Sequence, residues 1–166
     1  MGEDLRVLVT GGTFDKVYNP ITEKLEFADT HVHEMLRFGR VTVKVEVEKL
    51  MLKDSLYMTD ADRQLILDRC TSSLEDKLLI VHGTGTMVET AKKLGQNLEA
   101  KTAVLIGAMV PYSVSNSDAV FNFAFAYGLA LYLPIGVYIA MNGRALNWNN
   151  VRKNPQTGEF EPLTKL

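Results

Sequence analysis

Two glycine loops that carry threonine hydroxyls each follow an apolar run of the sequence. Residues 10–13 read Thr-Gly-Gly-Thr at the end of the run 5–10, and residues 82–86 read His-Gly-Thr-Gly-Thr after the run 78–81. Glycine adopts backbone conformations closed to other residues and lets a ligand approach closely. Backbone N–H groups at the start of a helix also bind anionic groups. The two loops therefore predict a ligand site built from threonines.

A threonine hydroxyl is a poor nucleophile at neutral pH and needs a base or a positive neighbour. We expect a lysine or a tyrosine in that role, because His31 and His33 fall in a predicted helix and His82 precedes its loop. Thr-Gly-Gly is also an ordinary turn composition. Taken alone, the loops leave a chemical and a purely structural interpretation open.

Short β-branched runs alternate with helical stretches along the chain. We predict strands at 5–10, 41–48, 78–81, 103–106 and 135–140. We predict helices within 28–38, starting near Asp29 or Thr30, from 60 onward, at 86–94 and at 118–131. Residues 59–62 resemble a capping box, and Gly39 and Gly95 stand where helices usually end. The stretch around Asn19 and the tail from Asn142 are expected to be irregular.

Strands that alternate with helices imply βαβ crossovers and a parallel sheet. We therefore predict an α/β fold of the doubly wound, Rossmann-like or flavodoxin-like type, with a mostly parallel sheet and helices on both faces. In such a sheet, ligands bind outside the carboxyl ends of the strands. The loops after all five predicted strands fall at that edge, so one pocket can draw on all of them.

Size and composition narrow the classes of function. The chain has 166 residues, which fits one domain, and its 18 Lys and Arg nearly balance its 20 Asp and Glu without a basic block. Nucleic acid is therefore not an expected partner. Cys70 is the single cysteine, and the acidic start lacks the pattern of a secretory signal, so we predict a cytoplasmic protein. No cluster has metal-ligand spacing, and no metal or cofactor is expected.

One apolar stretch has the length of a membrane span. No charged residue occurs between Asp118 and Arg144, and residues 121–141 have the hydropathy of a spanning helix. Pro134 and Gly136 divide the stretch into a helix and a short buried strand, as expected inside an α/β domain. We therefore predict no membrane association.

Several motifs together resemble the bacterial-type L-asparaginases. Residues 10–13 and 82–86 are similar to the two signatures of that family, and residues 54–59 (Asp-Ser-Leu-Tyr-Met-Thr) are similar to its substrate-binding segment. Residues 107–111 match its Gly-Ala-Met-Arg-Pro stretch except at Val110, and Lys153 takes the place of its catalytic lysine. The resemblance covers nearly the whole chain but only the family's N-terminal domain. It implies that residues 1–166 form one such domain without the usual C-terminal domain.

The resemblance implies an amidohydrolase that converts L-asparagine, or a related small amide, to the acid and ammonia. Thr13 would attack the amide carbonyl to give an acyl-enzyme, Thr84 and Lys153 would form the second hydroxyl–ammonium pair, and Tyr18 would assist. No cofactor is implied. The residues expected to bind the substrate are Gly12, Asp54, Ser55, Gly83, Gly85 and Ala108.

Gly85 departs from the family pattern, which has an aspartate that grips the substrate's α-amino group. Without that carboxylate, an ammonium loses a charge-assisted hydrogen bond of roughly 1.5–3 kcal/mol. Leu56 also stands where a polar side chain is common, while Asp15 and Glu89 are candidates to replace the missing carboxylate. The departure leaves open a non-catalytic or weakly active domain that only binds a small molecule.

Other interpretations also stay open. Ser55, Thr84 and Thr86 are ordinary turn or helix-capping residues, and Lys153 would be a solvated charge in a polar tail. Residues 9–13 resemble the start of a dinucleotide fingerprint, but Lys16 stands in place of its third glycine. Asparaginase sites are completed across subunits, so we expect a homodimer or higher homo-oligomer, in which tyrosines of the C-terminal half take part: Tyr127, Tyr132 and Tyr138.

Overall fold

The computed structural model describes residues 4–164 as a layered α/β structure. In chain order its strands are β1 (Leu5–Gly11), β2 (Lys16–Asn19), β3 (Lys24–Phe27), β4 (Val45–Lys53), β5 (Lys77–Val81), β6 (Thr102–Ile106), β7 (Gly136–Met141), β8 (Arg144–Asn147), β9 (Arg152–Lys153) and β10 (Phe160–Glu161). Its helices are α1 (Val32–Phe38), α2 (Asp60–Ser72), α3 (Met87–Asn97) and α4 (Ala119–Tyr132). Short 3-10 helices lie at Thr13–Asp15 and Ser55–Tyr57.

The central sheet has the strand order β4-β1-β5-β6-β7-β8. The first five strands are parallel, and β8 runs antiparallel to β7 at the edge. From β1 the chain moves outward to β4 and then crosses back to β5 on the other side of β1. Strand order therefore reverses between β1 and β5, where the two threonine loops emerge. The predicted mostly parallel α/β fold is confirmed.

The central sheet has apolar side chains on both faces, and helices cover both faces. One face packs against Ile66 and Cys70 of α2 and against Met87 and Leu94 of α3. The other face packs against α1 and α4, with four small or aromatic contacts from α4: Ala119, Phe123, Ala126 and Ala130. Residues 78–81 of β5 are fully buried, as expected for a central strand covered on both sides.

The apolar stretch that resembled a membrane span is divided as predicted. Helix α4 has 14 residues, and after Pro134 the chain continues as the short strand β7. Among residues 4–164, no helix combines the length and the apolar character that crossing a bilayer requires.

The second strand of the sheet begins later than predicted. We expected residues 41–48, whereas β4 covers Val45–Lys53. The alternating valines begin at residue 41, but strand pairing begins only at Val45. The partner strand β1 begins at Leu5, and Leu5 pairs with Val45. Extra residues in β4, opposite the end of β1, then shift the pairing from Val9–Lys49 to Gly11–Lys53.

Two predicted helix boundaries are wrong. Helix α1 begins at Val32 and not near Asp29 or Thr30 as predicted, since the buried Asp15 carboxylate accepts the His31 N–H (2.8 Å) and fixes that start. Gly95 does not end α3 but lies inside it, where Trp148 packs against the glycine so closely that a Cβ would collide with the indole ring. The capping box is confirmed, with Thr59 Oγ1 accepting the Asp62 N–H and Asp62 accepting the Thr59 N–H.

Two regions expected to be irregular contain strands. Strands β2 and β3 form an antiparallel hairpin around Asn19, whose side-chain oxygen accepts the N–H of Ile21 within the turn. The tail holds the edge strand β8 and the two-stranded pair β9–β10. These short strands gain their order from pairing partners that local periodicity does not reveal.

An ion-pair network lies toward the amino ends of the strands. The Arg6 guanidinium donates to Glu75 (2.7 Å) and to Glu48 (2.8 Å), and Arg69 of α2 donates to the same Glu48 (2.7 Å). Through these contacts β1, β4, α2 and the segment before β5 are connected at the end of the sheet away from the threonine loops.

Candidate active site

The two threonine loops contact each other through their glycines. A Cβ placed on Gly12 would collide with the Cα of Gly83 and would lie 2.5 Å from its nitrogen. Gly12 also has φ 78°, a left-handed conformation that favours glycine. The backbones that precede Thr13 and Thr84 are therefore in direct contact at the carboxyl edge of the sheet.

Lys153 reaches this edge from the C-terminal part of the chain. Its Nζ donates to Thr84 Oγ1 at 3.0 Å, and it lies 5.9 Å from the ring centre of Phe160, its pairing partner in β10. Burial lowers the pKa of Lys153 below its usual 10.5. No carboxylate of residues 4–164 lies within 4.0 Å of Nζ, so the described chain supplies no counter-ion.

The loop after β6 is held against Thr84 by the start of α4. A Cβ on Gly107 would lie 2.5 Å from the His82 carbonyl oxygen and 3.1 Å from Thr84 Cγ2. Asp118 accepts the N–H groups of Met109 and Val110, both at 3.0 Å. These hydrogen bonds lower the pKa of Asp118 and keep it ionised despite its burial. Ala108, which belongs to this loop, is buried.

The loop after β4 packs on the other side of the second threonine loop. Ser55 is buried, and a Cβ on Gly83 would lie 2.6 Å from its Oγ. Ser55 accepts two hydrogen bonds from Thr86: one at Oγ from the N–H (3.3 Å) and one at the carbonyl oxygen from the hydroxyl (2.7 Å). Asp54 accepts the Leu56 N–H and pairs with Lys16 at 2.7 Å.

The structure thus brings most of the predicted site residues to one edge. Backbone or side-chain contacts join the loops that contain Gly12, Ser55, Gly83, Thr84 and Lys153. Tyr18 is placed differently. It lies in β2, paired with Leu25, and 58% of its surface is exposed. Within residues 4–164 no hydrogen bond joins its hydroxyl to either threonine.

Neither candidate replacement carboxylate faces the lysine. Asp15 is fully buried and accepts the His31 N–H at the start of α1. Glu89 lies exposed in the first turn of α3. Gly85 is exposed, and a Cβ on it would lie 2.7 Å from Leu56 Cδ2.

His82 holds the second threonine loop in a way that the sequence analysis missed. Its ring is fully buried, with Nδ1 2.8 Å from the Gly83 carbonyl oxygen and Nε2 2.8 Å from Thr90 Oγ1. Burial lowers the pKa of His82 to about 4, so the ring is neutral near pH 7. A neutral ring satisfies both contacts when Nδ1–H donates to the carbonyl and Nε2 accepts from the Thr90 hydroxyl. The loop is therefore connected to the second turn of α3.

Comparison with known proteins decides the family. A family profile described as "Asparaginase, N-terminal" matches residues 4–161. The chain belongs to this asparaginase family. L-asparaginase 1 of Escherichia coli (strain K12) is 30% identical in an alignment that covers 91% of this chain and 47% of that protein.

Solved asparaginases share the fold. The crystal structure of L-asparaginase I from Vibrio cholerae is 27% identical, with a TM-score of 0.82 over 98% of this chain and 52% of that one. The thermostable L-asparaginase from Thermococcus kodakarensis has a TM-score of 0.83 at 23% identity, and the match covers 52% of its length. The chain thus spans about half the length of the asparaginases it matches.

Proposed function

We propose that the chain is an amidohydrolase that releases ammonia from L-asparagine or a related small amide through a threonine acyl-enzyme. The observation that carries this proposal is the contact between Lys153 Nζ and Thr84 Oγ1 beside the touching glycines of the two threonine loops. A lysine beside a hydroxyl at the edge of the sheet is a pair that can move a proton. Family membership supports a hydrolase.

In the proposed reaction the Thr13 hydroxyl oxygen attacks the carbonyl carbon of the amide. Its proton passes through the Thr84–Lys153 pair to the amide nitrogen, the carbon–nitrogen bond breaks, and ammonia leaves. Water then attacks the ester on Thr13 and releases the acid. The first turn of α3, which begins directly after Thr86, carries the positive end of a helix dipole that favours the developing oxyanion.

The nucleophile is tested by ammonia release from asparagine, glutamine and simpler amides. We expect Thr13→Val, which removes the hydroxyl but keeps the shape, to lower kcat by at least about a thousandfold. Thr13→Ser, which keeps an alcohol, retains measurable turnover. Wild-type turnover in Thr13→Val would show that Thr13 is not the nucleophile.

A second candidate function is a small-molecule-binding domain without turnover. The exposed Gly85, which offers the site no side chain, favours it. Thermal stabilisation by an amide or its acid without ammonia release is the result that distinguishes this candidate from the first.

Location and assembly belong to the proposal as well. We place the protein in the cytoplasm, where its single, buried Cys70 stays reduced. We propose a homodimer or higher homo-oligomer, for which α4 offers exposed apolar side chains such as Val120, Phe121 and Tyr132. Sedimentation that gives a monomer at working concentration would contradict the assembly.

A further inference from the structure

The proposed site has an unbalanced positive charge. The Lys153 ammonium contacts a hydroxyl, and no carboxylate within residues 4–164 lies within 4.0 Å of it. Helix α3 begins at Met87, directly after the second threonine loop, and its eleven residues direct their positive dipole end toward that loop. Both features attract an anion and repel a cation.

The carboxylates of the neighbouring loops are already engaged. Asp54 pairs with Lys16, and its other oxygen accepts the Leu56 N–H. Asp118 accepts the N–H groups of Met109 and Val110 and a hydrogen bond from Asn122. A ligand ammonium beside Asp54 would share a carboxylate whose charge Lys16 already balances, and beside Asp118 it would compete with the N–H groups that this carboxylate accepts.

The position where an additional side chain would enter is bordered by a flexible apolar side chain. A Cβ on Gly85 would lie 3.1 Å from Ser55 Oγ and 2.7 Å from the Cδ2 methyl of Leu56. Leu56 is itself 69% exposed, so its side chain is available to a ligand. A ligand next to Gly85 therefore contacts the Leu56 hydrocarbon and the Ser55 hydroxyl, which carries no charge to pair with an ammonium.

We infer that this site selects small primary amides that carry a carboxylate but no ammonium group, with succinamate as the simplest four-carbon member. The inference rests on the proposed function for the reaction itself. The amide carbon–nitrogen bond of succinamate breaks, water supplies the new oxygen, and the products are succinate and ammonia. Asparagine differs from succinamate only by the ammonium group, which finds no unpaired carboxylate in the neighbouring loops of residues 4–164 and is repelled by Lys153.

Calorimetry on the full chain tests this selectivity. It compares the affinities for the two product acids, succinate and L-aspartate. We expect the wild type to bind succinate at least about tenfold more tightly, the factor that one charge-assisted hydrogen bond corresponds to. In parallel, ammonia release from succinamate and from asparagine reports on turnover. We expect kcat/KM to favour succinamate by a similar factor.

Gly85→Asp and Gly85→Asn form a matched pair that differs in charge alone. The φ of Gly85 lies outside the left-handed region, and the nearest obstacle is the flexible end of Leu56, so both side chains fit. We expect Gly85→Asp to shift the preference toward aspartate by about tenfold or more, and Gly85→Asn to keep the preference for succinate. Thermal unfolding checks both folds, and Leu56→Ala combined with Gly85→Asp makes room if the single variant is unstable.

The outcomes separate the two proposals. Equal or tighter binding of aspartate by the wild type, or no binding of either acid, overturns the inference. A shift in Gly85→Asn as large as that in Gly85→Asp also overturns it, because charge is then not the cause. Ammonia release that prefers asparagine overturns the inference and keeps the proposed function. Preferential binding of succinate without ammonia release from either amide supports the charge selection and overturns the proposed function.

Discussion

The proposed chemistry depends on Lys153, which has no carboxylate within 4.0 Å among the described residues 4–164. Lys153 donates to Thr84 Oγ1, and burial favours its neutral form by lowering its pKa. A neutral amine at 3.0 Å can accept the proton of the hydroxyl it contacts, whereas an ammonium cannot. The protonation state of this one group therefore decides whether the pair acts as a base.

The pH dependence of turnover tests this role. Because kcat depends on the neutral amine, we expect kcat to rise with pH along a limb whose midpoint lies below 10.5, the ordinary pKa of lysine. Lys153→Arg keeps a positive charge that does not titrate in this range, and we expect it to lower kcat at least about a hundredfold. A limb centred at or above 10.5, or wild-type kcat in Lys153→Arg, would contradict the assignment.

His82 links the site to acid stability. Its folded-state pKa of about 4 lies below the ordinary 6.5, so between these values the unfolded chain binds a proton that the folded chain does not. The free energy of unfolding therefore falls as the pH is lowered from about 6.5 to about 4, by up to roughly 3 kcal/mol from this residue.

Urea unfolding at a series of pH values measures that contribution. We expect His82→Gln to show a weaker pH dependence than the wild type across this range. His33→Gln, a change at an exposed histidine of α1, is the matched control and keeps the wild-type slope. Identical slopes in all three proteins would show that His82 does not carry the effect.

At the scale of elements, two glycines in helix interiors have opposite surroundings. A Cβ on Gly128 of α4 meets nothing within 4 Å, whereas a Cβ on Gly95 of α3 would collide with Trp148. We expect Gly128→Ala to raise the free energy of unfolding by about 0.5–1 kcal/mol, since alanine loses less backbone entropy in a helix. We expect Gly95→Ala to lower it by about 1–3 kcal/mol through overpacking. Chemical denaturation measures both changes, and shifts of the same sign would refute this description of the packing.

Features with a local sequence pattern could be predicted, whereas features set by distant residues, such as the packing at Gly95, could not. The crossovers, the parallel sheet, the capping box at Thr59 and the division of the apolar stretch at Pro134 follow from local patterns, and the structure has all of them. The prediction that α3 ends at Gly95 was wrong. Trp148 packs against this glycine, and Trp148 lies more than fifty residues away along the chain, where a local pattern does not reveal it. The start of α1 depends on Asp15 in the same manner.

In the site, too, the features with a local pattern could be predicted and those that depend on distant residues could not. Both threonine loops could be predicted from the sequence, because glycine and threonine after an apolar run have a local meaning. The family resemblance added Lys153, which no local pattern connects to Thr84. The ring of His82 was missed, since its partners become neighbours only through the turn into α3. The catalytic and binding roles of the predicted residues stay predictions.

For the whole molecule, the Arg6 network is separate from the site. Arg6 connects Glu48 and Glu75 toward the amino ends of the strands, and its removal leaves two partly buried carboxylates without this partner. We expect Arg6→Met to lower the free energy of unfolding by about 1–3 kcal/mol and to leave kcat unchanged. Urea unfolding and an ammonia assay on the same preparation test both parts, and a changed kcat would show that the two ends of the sheet are coupled.

The relation to longer relatives bears on the organisation of the whole molecule. The sequence predicted one domain over residues 1–166, and the matched asparaginases are about twice as long as the part this chain covers. The single-domain organisation therefore stays a prediction. Within residues 4–164 the sheet, its two helical layers and the β9–β10 pair carry the residues of the proposed site.

The contact between Gly12 and Gly83 divides the second threonine loop into a fixed part and a variable part. Positions 12 and 83 have no room for a side chain, whereas position 85 is exposed and meets the end of a movable leucine. Mutations at position 85 can accumulate during evolution, or be introduced by an engineer, without disturbing the contact between the backbones of the two threonine loops. Under the proposed function, the substrate range can therefore diverge in this scaffold while the proposed reaction stays the same.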